Sequence, residues 1–388
     1  MTPPLEDRAP LGIAVLGSTG SVGRQTLDVI AAHPDRFQLI GIAARRLSDR
    51  LLNQVRTYAP LIAGASAPSP LEQESAGVVW CGPDALLEIV THPAVDIVVV
   101  ATSGHAAIEP TIAAIEHGKT IALANKETLV CAGEIIMPLA RRHSVEIRPV
   151  DSEHSAVWQA LNGEAPDQIE KVILTASGGP FRDTPLEMLE DVSIADALSH
   201  PTWSMGGKIT VDSASMMNKG LEIIEAHWLF DMPYDRIDVL VHPESIVHSL
   251  VEFADGGLIA QLGQPDMRLP IQYALTYPDR IPNLVRRLRL SDVGTLRFFP
   301  ADERRFPALR LAREAGVAGA TYPTALSAAD EVAVEAFLSG ELRFPDIVRV
   351  AEQVLHDHQP VRLMSLAAIA ETDAWARRRA HEIAQRLQ

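Results

Sequence analysis

Residues Leu11 to Leu16 form an apolar, β-prone run, and the chain passes without a break into Gly17-Ser18-Thr19-Gly20-Ser21-Val22-Gly23. After the third glycine, Leu27, Val29 and Ile30 return at helical spacing. Few folds accept that order. A run of this kind is extended, a cluster of glycines is a tight turn, and the spacing that follows is that of a helix. A strand that feeds a helix through such a turn is half of a βαβ unit, which predicts a parallel sheet with helices on its faces. In that setting the glycines let backbone approach an anion held at the helix N-terminus, and G-x-x-G-x-x-G is a variant of the dinucleotide fingerprint. The same spacing also suits a plain strand-to-helix turn with no ligand.

The next segments extend the pattern. Gln38 to Ala43 reads as the second strand. An NAD site usually carries an acidic residue about 20 residues past the glycines, to hold the ribose hydroxyls. Here Ala44-Arg45-Arg46 stands in that place. Two guanidinium groups suit a 2′-phosphate, so the reading favours NADP; the alternative is a solvated basic loop. Ile97 to Ala101 and Ile121 to Ala124 are continuous apolar runs, as in a sheet covered on both faces. They end in Thr102-Ser103-Gly104-His105 and Asn125-Lys126-Glu127. Ligands of open α/β sheets lie beyond the carboxyl ends of the strands, which sets Lys126 near the nicotinamide or the substrate.

Two later stretches carry more chemistry. Glu146 to Val150 reads as a strand that delivers Asp151 and Glu153. In extended chain these two share a face and could meet one hard cation such as Mg²⁺ or Mn²⁺; a lone D-x-E is otherwise a solvated edge. The segment Asp212-Ser213-Ala214-Ser215-Met216-Met217-Asn218-Lys219-Gly220-Leu221-Glu222 concentrates hydroxyls, an amide, an ammonium and a carboxylate. With Ser213 or Ser215 as cap, a helix from about Met216 to Trp228 would make Asn218 and Lys219 neighbours of Glu222. The first groups suit a phosphate and the last suits a metal; the plainer reading is an amphipathic helix with a surface Lys–Glu pair. Ser177, in the turn Ser177-Gly178-Gly179-Pro180-Phe181, could serve the same phosphate or only the turn. His200-Pro201-Thr202-Trp203-Ser204-Met205-Gly206-Gly207-Lys208 reads as a lid with an apolar inner face, or as a loop packed permanently on the core. His248 lies in a β-rich run, where a histidine is more often packed than catalytic.

Composition narrows the partners. The 388 residues are 47% hydrophobic and 22% charged, with a formal net charge of −16. That balance is globular and speaks against a nucleic-acid or anionic-membrane partner, so anionic ligands must be held by local features. Cys81 and Cys131 lack metal-ligand spacing and read as apolar residues of a reducing compartment. No apolar run reaches the roughly 18 residues of a membrane helix. Met1 to Pro10 is expected to be a disordered tail and not a signal peptide, which points to the cytoplasm. The expected division is a Rossmann-like domain over 11–150, an α+β domain over 151–283 with a flap at 199–208, a linker over 284–305 and a helical bundle over 306–388. Within the second, Asp235 to Val241, Ile246 to Phe253 and Leu258 to Leu262 are β-like.

Taken in order, Gly17 to Gly23, Ala124-Asn125-Lys126-Glu127, Pro149-Val150-Asp151-Ser152-Glu153-His154, Ser177 to Phe181, His200 to Gly206 and Met216 to Glu222 resemble the 1-deoxy-D-xylulose 5-phosphate reductoisomerases. The resemblance runs from about Ile13 to the C-terminal helices. It implies an NADPH-dependent enzyme of the non-mevalonate isoprenoid pathway that turns 1-deoxy-D-xylulose 5-phosphate into 2-C-methyl-D-erythritol 4-phosphate. It implies Asp151, Glu153 and Glu222 as ligands of Mg²⁺ or Mn²⁺, with Co²⁺ also accepted. It implies Ser177, Ser213, Asn218 and Lys219 around the phosphate, and Ser152, Lys126, His200 and His248 on the substrate side. Trp203 and Met205 match the closing flap. Thr19, Gly20, Ser21, Val22, Ala44, Arg45, Arg46, Asn125, Lys126, Glu127 and Gly206 match the cofactor contacts. The family is homodimeric through its central sheet. This chain departs from the common pattern at Ala44, where glycine is usual, at Thr202, where asparagine is usual, and at Ser327 and Asp330. On the residues alone, another NADP-dependent dehydrogenase or an NADPH-sensing module stays open; neither would need three convergent carboxylates.

Overall fold

The structure is a computed structural model describing residues 9–67, 79–82, 84–203, 205–362 and 364–387. Residues 1–8 of the expected tail, Ser204 of the expected lid and the side chain of Cys81 lie outside the described residues. The chain divides into two compact units. The first comprises Met1–Thr128, Ile136–Ser155 and Asp266–Arg286; the second comprises Leu129–Ile135, Ala156–Pro265 and Arg287–Gln388.

Through its first 160 residues the chain forms β1 (Leu11–Leu16), α1 (Ser21–Ala32), β2 (Phe37–Ala44), α2 (Asp49–Tyr58), β3 (Ile62–Ala65), β4 (Val79–Cys81), α3 (Ala85–Val90), β5 (Ile97–Val100), α4 (Ile108–Glu116), β6 (Thr120–Leu123), α5 (Lys126–His143), β7 (Ile147–Pro149) and α6 (Ser152–Ala160). The seven strands make one parallel sheet in the order β4-β3-β2-β1-β5-β6-β7. The order reverses beside β1, which is where an open α/β sheet forms its ligand crevice. β1 and β5 are buried nearly throughout, so their side chains face covered layers on both sides, as continuous apolar runs require. Ile13, Val15, Leu27, Ile42, Val99 and Val150 belong to one buried cluster. Each such side chain contributes roughly 1.5–3 kcal/mol by leaving water.

The remaining elements are β8 (Ile169–Ala176), α7 (Ile194–Ala197), α8 (Gly207–Ser215), α9 (Met217–Phe230), β9 (Ile237–Val241), β10 (Val247–Phe253), β11 (Leu258–Leu262), α10 (Arg268–Thr276), α11 (Leu290–Val293), β12 (Phe299–Pro300), α12 (Pro307–Ala318), α13 (Tyr322–Leu338), α14 (Asp346–Asp357) and α15 (Leu366–Leu387). α10 belongs to the first unit, where Gln272 meets His33, just past α1, at 3.2 Å and Ile271, Ala274 and Leu275 join the sheet's core. In the second unit the strand order is β11-β10-β8-β9-β12. β8 and β9 pair in parallel and the other neighbours are antiparallel, so this sheet is mixed. Its core joins Val172 and Leu174 of β8 to Ile223 and Ala226 of α9 and Leu309 of α12. α12 approaches α9 so closely that a Cβ on Gly220 would lie 2.7 Å from the Ala312 side chain. α13 is buried along most of its length and packs on α14 and α15, which makes a helical bundle of the C-terminal residues. Residues 284–305, read as a linker, hold α11 and the short β12 that pairs with β9. No helix among the described residues is long and apolar enough to cross a membrane.

Candidate active site

The glycine turn takes its shape from steric necessity. Gly17 has φ +84, and a Cβ there would lie 2.3 Å from the Ala101 carbonyl oxygen. A Cβ on Gly23 would lie 2.2 Å from the Gly17 carbonyl, so only glycine lets α1 start against the turn. The N–H groups of Gly17 and Ser18 donate to the Ala43 carbonyl at 2.8 and 2.9 Å, pinning the turn to the end of β2. Gly20 caps α1 without a side chain, which leaves the first N–H groups of the helix open to an anion. Thr19, Ser21 and Val22 line this rim half-buried; Ala44 is buried and Arg45 and Arg46 are exposed just beyond β2.

Asn125 is buried and fully used. Its carbonyl oxygen caps α5 by accepting from Thr128 N–H at 2.8 Å. Its amide donates to the carbonyls of Thr102 and Gly104 and to Glu127, at 2.9, 3.1 and 2.9 Å. It thereby ties the ends of β5 and β6 together and holds Lys126 as the first residue of α5. Lys126 forms an ion pair with Asp151.

Asp151 and Glu153 come together by a route other than the expected one. They do not alternate along a strand. β7 ends at Pro149 and α6 begins at Ser152, so the pair sits at a helix start. Their carboxylate oxygens still lie within 4.8 Å of one another. Ser152 donates its hydroxyl to Glu153 at 2.7 Å. Burial by itself would raise the Asp151 carboxyl, but the Lys126 ammonium and the neighbouring His154 override it and hold the group well below the usual carboxylate range. Asp151 is thus an anion at any ordinary pH.

In the second unit the helix expected from about Met216 to Trp228 is α9, and it follows directly on a helix that was not expected, α8. α8 ends at Ser215, Met216 takes a left-handed conformation with φ +63, and α9 starts at Met217. Neither Ser213 nor Ser215 is its N-cap, although the Ser215 hydroxyl accepts from Met217 N–H at 3.3 Å. The spacing within α9 is as expected. Asn218 donates to one oxygen of Glu222 at 2.6 Å and Lys219 to the other at 2.5 Å. The pair is no surface ion pair, because Lys219 is 3% exposed and Glu222 0%. A buried carboxylate is kept ionised only by such company.

Three residues from separate segments meet around His200. Its Nε2 lies 3.0 Å from the Ser177 hydroxyl and 3.1 Å from that of Ser213. Its Nδ1 accepts from the N–H groups of Thr202 and Trp203 at 3.1 and 2.9 Å. Two donors at Nδ1 place the ring proton on Nε2, and burial lowers the pKa of His200, which favours this neutral form. Gly179 has φ +64 and passes so near Ser213 that a Cβ would lie 2.7 Å from its carbonyl oxygen. Trp203 and Met205 are half-buried, and the Trp203 ring lies 6.5 Å from that of His248, itself buried on β10. Gly206 is exposed and caps α8. Sequence reasoning passed over the next link. Lys208 donates to the buried Asp212 at 2.6 Å and to the buried Asp330 of α13 at 2.9 Å. Lys208 and Asp212 are i, i+4 neighbours and were open to view, but Asp330 lies 122 residues away.

Three family descriptions match in succession: "1-deoxy-D-xylulose 5-phosphate reductoisomerase" over residues 13–133, its C-terminal domain over 147–230 and "DXP reductoisomerase C-terminal domain" over 262–379. A 1-deoxy-D-xylulose 5-phosphate reductoisomerase of Thermomicrobium roseum is 55% identical over 384 residues, 97% of this chain and 98% of the relative. That of Pelotomaculum thermopropionicum is 52% identical over 94% of this chain and 96% of the relative. Among solved structures, the Zymomonas mobilis enzyme in complex with NADPH superposes with a TM-score of 0.90 at 39% identity, over 97% of this chain and 99% of that one. A DOX-P reductoisomerase in complex with NADPH, fosmidomycin and magnesium gives 0.91 at 38% identity, over 97% and 98%.

Proposed function

The chain belongs to the 1-deoxy-D-xylulose 5-phosphate reductoisomerase family, and we propose that Asp151, Glu153 and Glu222 hold its divalent cation while Ser177, Ser213, Asn218 and Lys219 hold the substrate's phosphate. The enzyme isomerises and reduces 1-deoxy-D-xylulose 5-phosphate to 2-C-methyl-D-erythritol 4-phosphate, using NADPH and a divalent metal, in the non-mevalonate route to isoprenoids. The observation that carries the residue assignment is the buried pair of Lys219 and Glu222 with the half-buried Asn218 bonded to it, a polar cluster that a structural role alone would not require.

The residues fit the groups. Hard cations take carboxylate oxygens, and Asp151 and Glu153 bring theirs within 4.8 Å of one another with Asp151 ionised. The turn packs so closely at Gly17 and Gly23 that no side chain fits there, and Gly20 leaves the N-terminus of α1 uncapped for a phosphate. When bound, the cation polarises the α-hydroxyketone and NADPH supplies the hydride. The protein's own groups do the rest. Lys126, already beside Asp151, is suited to hold or move a proton at the substrate's oxygens. Lys219 with the hydroxyls of Ser177 and Ser213 fixes the phosphate end, which keeps the reacting end in register. Neutral His200 and buried His248 contribute hydrogen bonds on the substrate side, with the Ser152 hydroxyl steadying Glu153. Trp203 and Met205 cover the reacting carbons and exclude water. Thr19 to Val22, Ala44 to Arg46, Asn125, Glu127 and Gly206 serve the cofactor.

The test is the absorbance decay of NADPH with 1-deoxy-D-xylulose 5-phosphate, with and without Mg²⁺ or Mn²⁺, on the wild type and on Lys219→Ala. We expect decay that needs metal, and a Michaelis constant for the sugar phosphate raised at least tenfold in the variant. An unchanged constant moves the phosphate elsewhere.

We also infer a homodimer joined at β11. This edge strand carries Leu258 and Ile259 at 57% and 40% exposure, a surface that a second copy would cover. Sedimentation should give a dimer for the wild type and a monomer for a variant with lysine at both positions; a dimer in both refutes the interface. A cytoplasmic location draws on the buried free thiol of Cys131, which suits a reducing compartment.

A further inference from the structure

We propose that Arg50, with Arg24 beside it, reads the 2′-phosphate of the cofactor from the helix side of the glycine turn. Between α1 and α2 runs a cavity of about 690 Å³ whose lining includes Ser21, Arg24, Arg50 and Gln54. Two guanidinium groups from different helices rest on consecutive carbonyls of the turn. Arg24 Nε donates to Gly20 at 3.3 Å and Arg50 Nη1 donates to Thr19 at 3.3 Å. Each thereby uses one of its five N–H groups and keeps the others for a ligand. Among the described residues neither has a carboxylate partner, in a chain with 50 acidic and 34 basic residues. The acidic group in the cavity lining, Asp28, lies by Tyr58, whose phenol is raised first by burial and then by that carboxylate.

The position of Arg50 is built, not incidental. Gln54 stands one helical turn further along α2 and is buried. Its amide donates to the Ser18 carbonyl at 2.8 Å and its oxygen accepts from the Ser18 hydroxyl at 2.8 Å. These two hydrogen bonds from one side chain to the glycine turn fix α2 against it. Residues four apart share a helix face, so Gln54 holds Arg50 over Thr19. Arg45 and Arg46 follow in sequence the end of β2 to which Gly17 and Ser18 are pinned through Ala43, and both are exposed. A doubly charged phosphate on the ribose is the anion that the paired guanidinium groups of Arg24 and Arg50 suit, and a bare 2′-hydroxyl gains nothing from them.

This inference rests on the NADPH reading above. The experiment measures binding of 2′,5′-ADP and of 5′-AMP by calorimetry to the full-length wild type and to Arg50→Gln. The expected result is a loss of about tenfold to a hundredfold for 2′,5′-ADP, with 5′-AMP unchanged. Equal losses for both ligands, or none, with a wild type that still prefers 2′,5′-ADP, overturn the role of Arg50 alone. A wild type that binds both ligands alike overturns the NADPH reading and this one with it. Arg24→Gln should show the same selective loss, smaller, because Arg24 lies on α1 without a counterpart to Gln54.

Discussion

At the glycine turn, the groups offered to a ligand are the N–H groups of α1 and guanidinium groups exposed to water. Along α8, α9 and the segments bonded to them they are side chains already tied to one another, the buried Lys219 and the half-buried Asn218 to the buried Glu222, and the half-buried His200 to Ser177 and Ser213. The difference is one of coupling. Exposed charges act nearly independently and are screened by solvent, so each can be altered at small cost to the fold. Buried charges share one low-dielectric site, and removing one strands its partner. Cofactor preference should therefore be graded, and metal and phosphate chemistry close to all-or-none.

The largest effect expected is on Glu222. Glu222→Gln keeps the shape and the hydrogen-bond acceptor for Lys219 but removes the charge. Turnover at saturating substrate should fall by orders of magnitude with a native circular dichroism spectrum, and the melting temperature should fall as well because the buried Lys219 loses its anion. Near-normal turnover at saturating metal would remove Glu222 from the ligand set. Next comes Lys208. Lys208→Met leaves Asp212 and Asp330 buried without its ammonium, and should cost on the order of 3 kcal/mol in denaturant unfolding. Adding Asp330→Asn should recover part of that loss, and a double variant no more stable than the single one would mean that the two carboxylates do not act together.

The exposed side supplies the contrast. Replacing Arg45 and Arg46 together by glutamine should erode the preference for NADPH over NADH by about tenfold while leaving unfolding midpoints unchanged; a retained preference would detach these arginines from the cofactor. The smallest effect concerns pH. Burial lowers the pKa of His200 and of His358, the latter bonded to Thr321 at 2.9 Å. In the unfolded chain each binds its proton at about pH 6.5, above its folded value. Below that pH the unfolded state holds more protons, so the stability these groups give near neutrality falls as the solution becomes more acid. Melting curves at pH 7.5 and 5.5 should separate less in a His200→Asn, His358→Asn variant than in the wild type.

How much of this was legible varied with the range of the interaction. The parallel sheet, the glycine turn and the β-like segments of the second unit followed from short apolar runs and glycines, because strand, turn and helix signals act over a few residues. The neighbours Asn218, Lys219 and Glu222 were legible for the same reason, since i, i+3 and i, i+4 spacing follows from helix geometry. The helix α8 just before them was not, because Gly207 and Lys208 read as the end of the lid and Ser213 and Ser215 as caps of the next helix, and only the left-handed Met216 separates the two helices. The helical start at Asp151 was misread as strand because the run before it, Glu146 to Val150, alternates charged and apolar residues as a strand does. Its three strand residues end at Pro149, whose ring cannot continue the ladder's donors.

From the chain alone came the order of elements, the family, and which residue types stand at each motif. Only tertiary structure decided that Lys219 and Glu222 are buried and not a surface pair, that His200 joins Ser177 to Ser213, that Lys208 ties α8 to Asp330 and that Gln54 sets Arg50 over the glycine turn. The reason is physical. Spacing along a helix or strand is a property of the backbone, whereas burial and the partner of a charge depend on which distant segment packs against it.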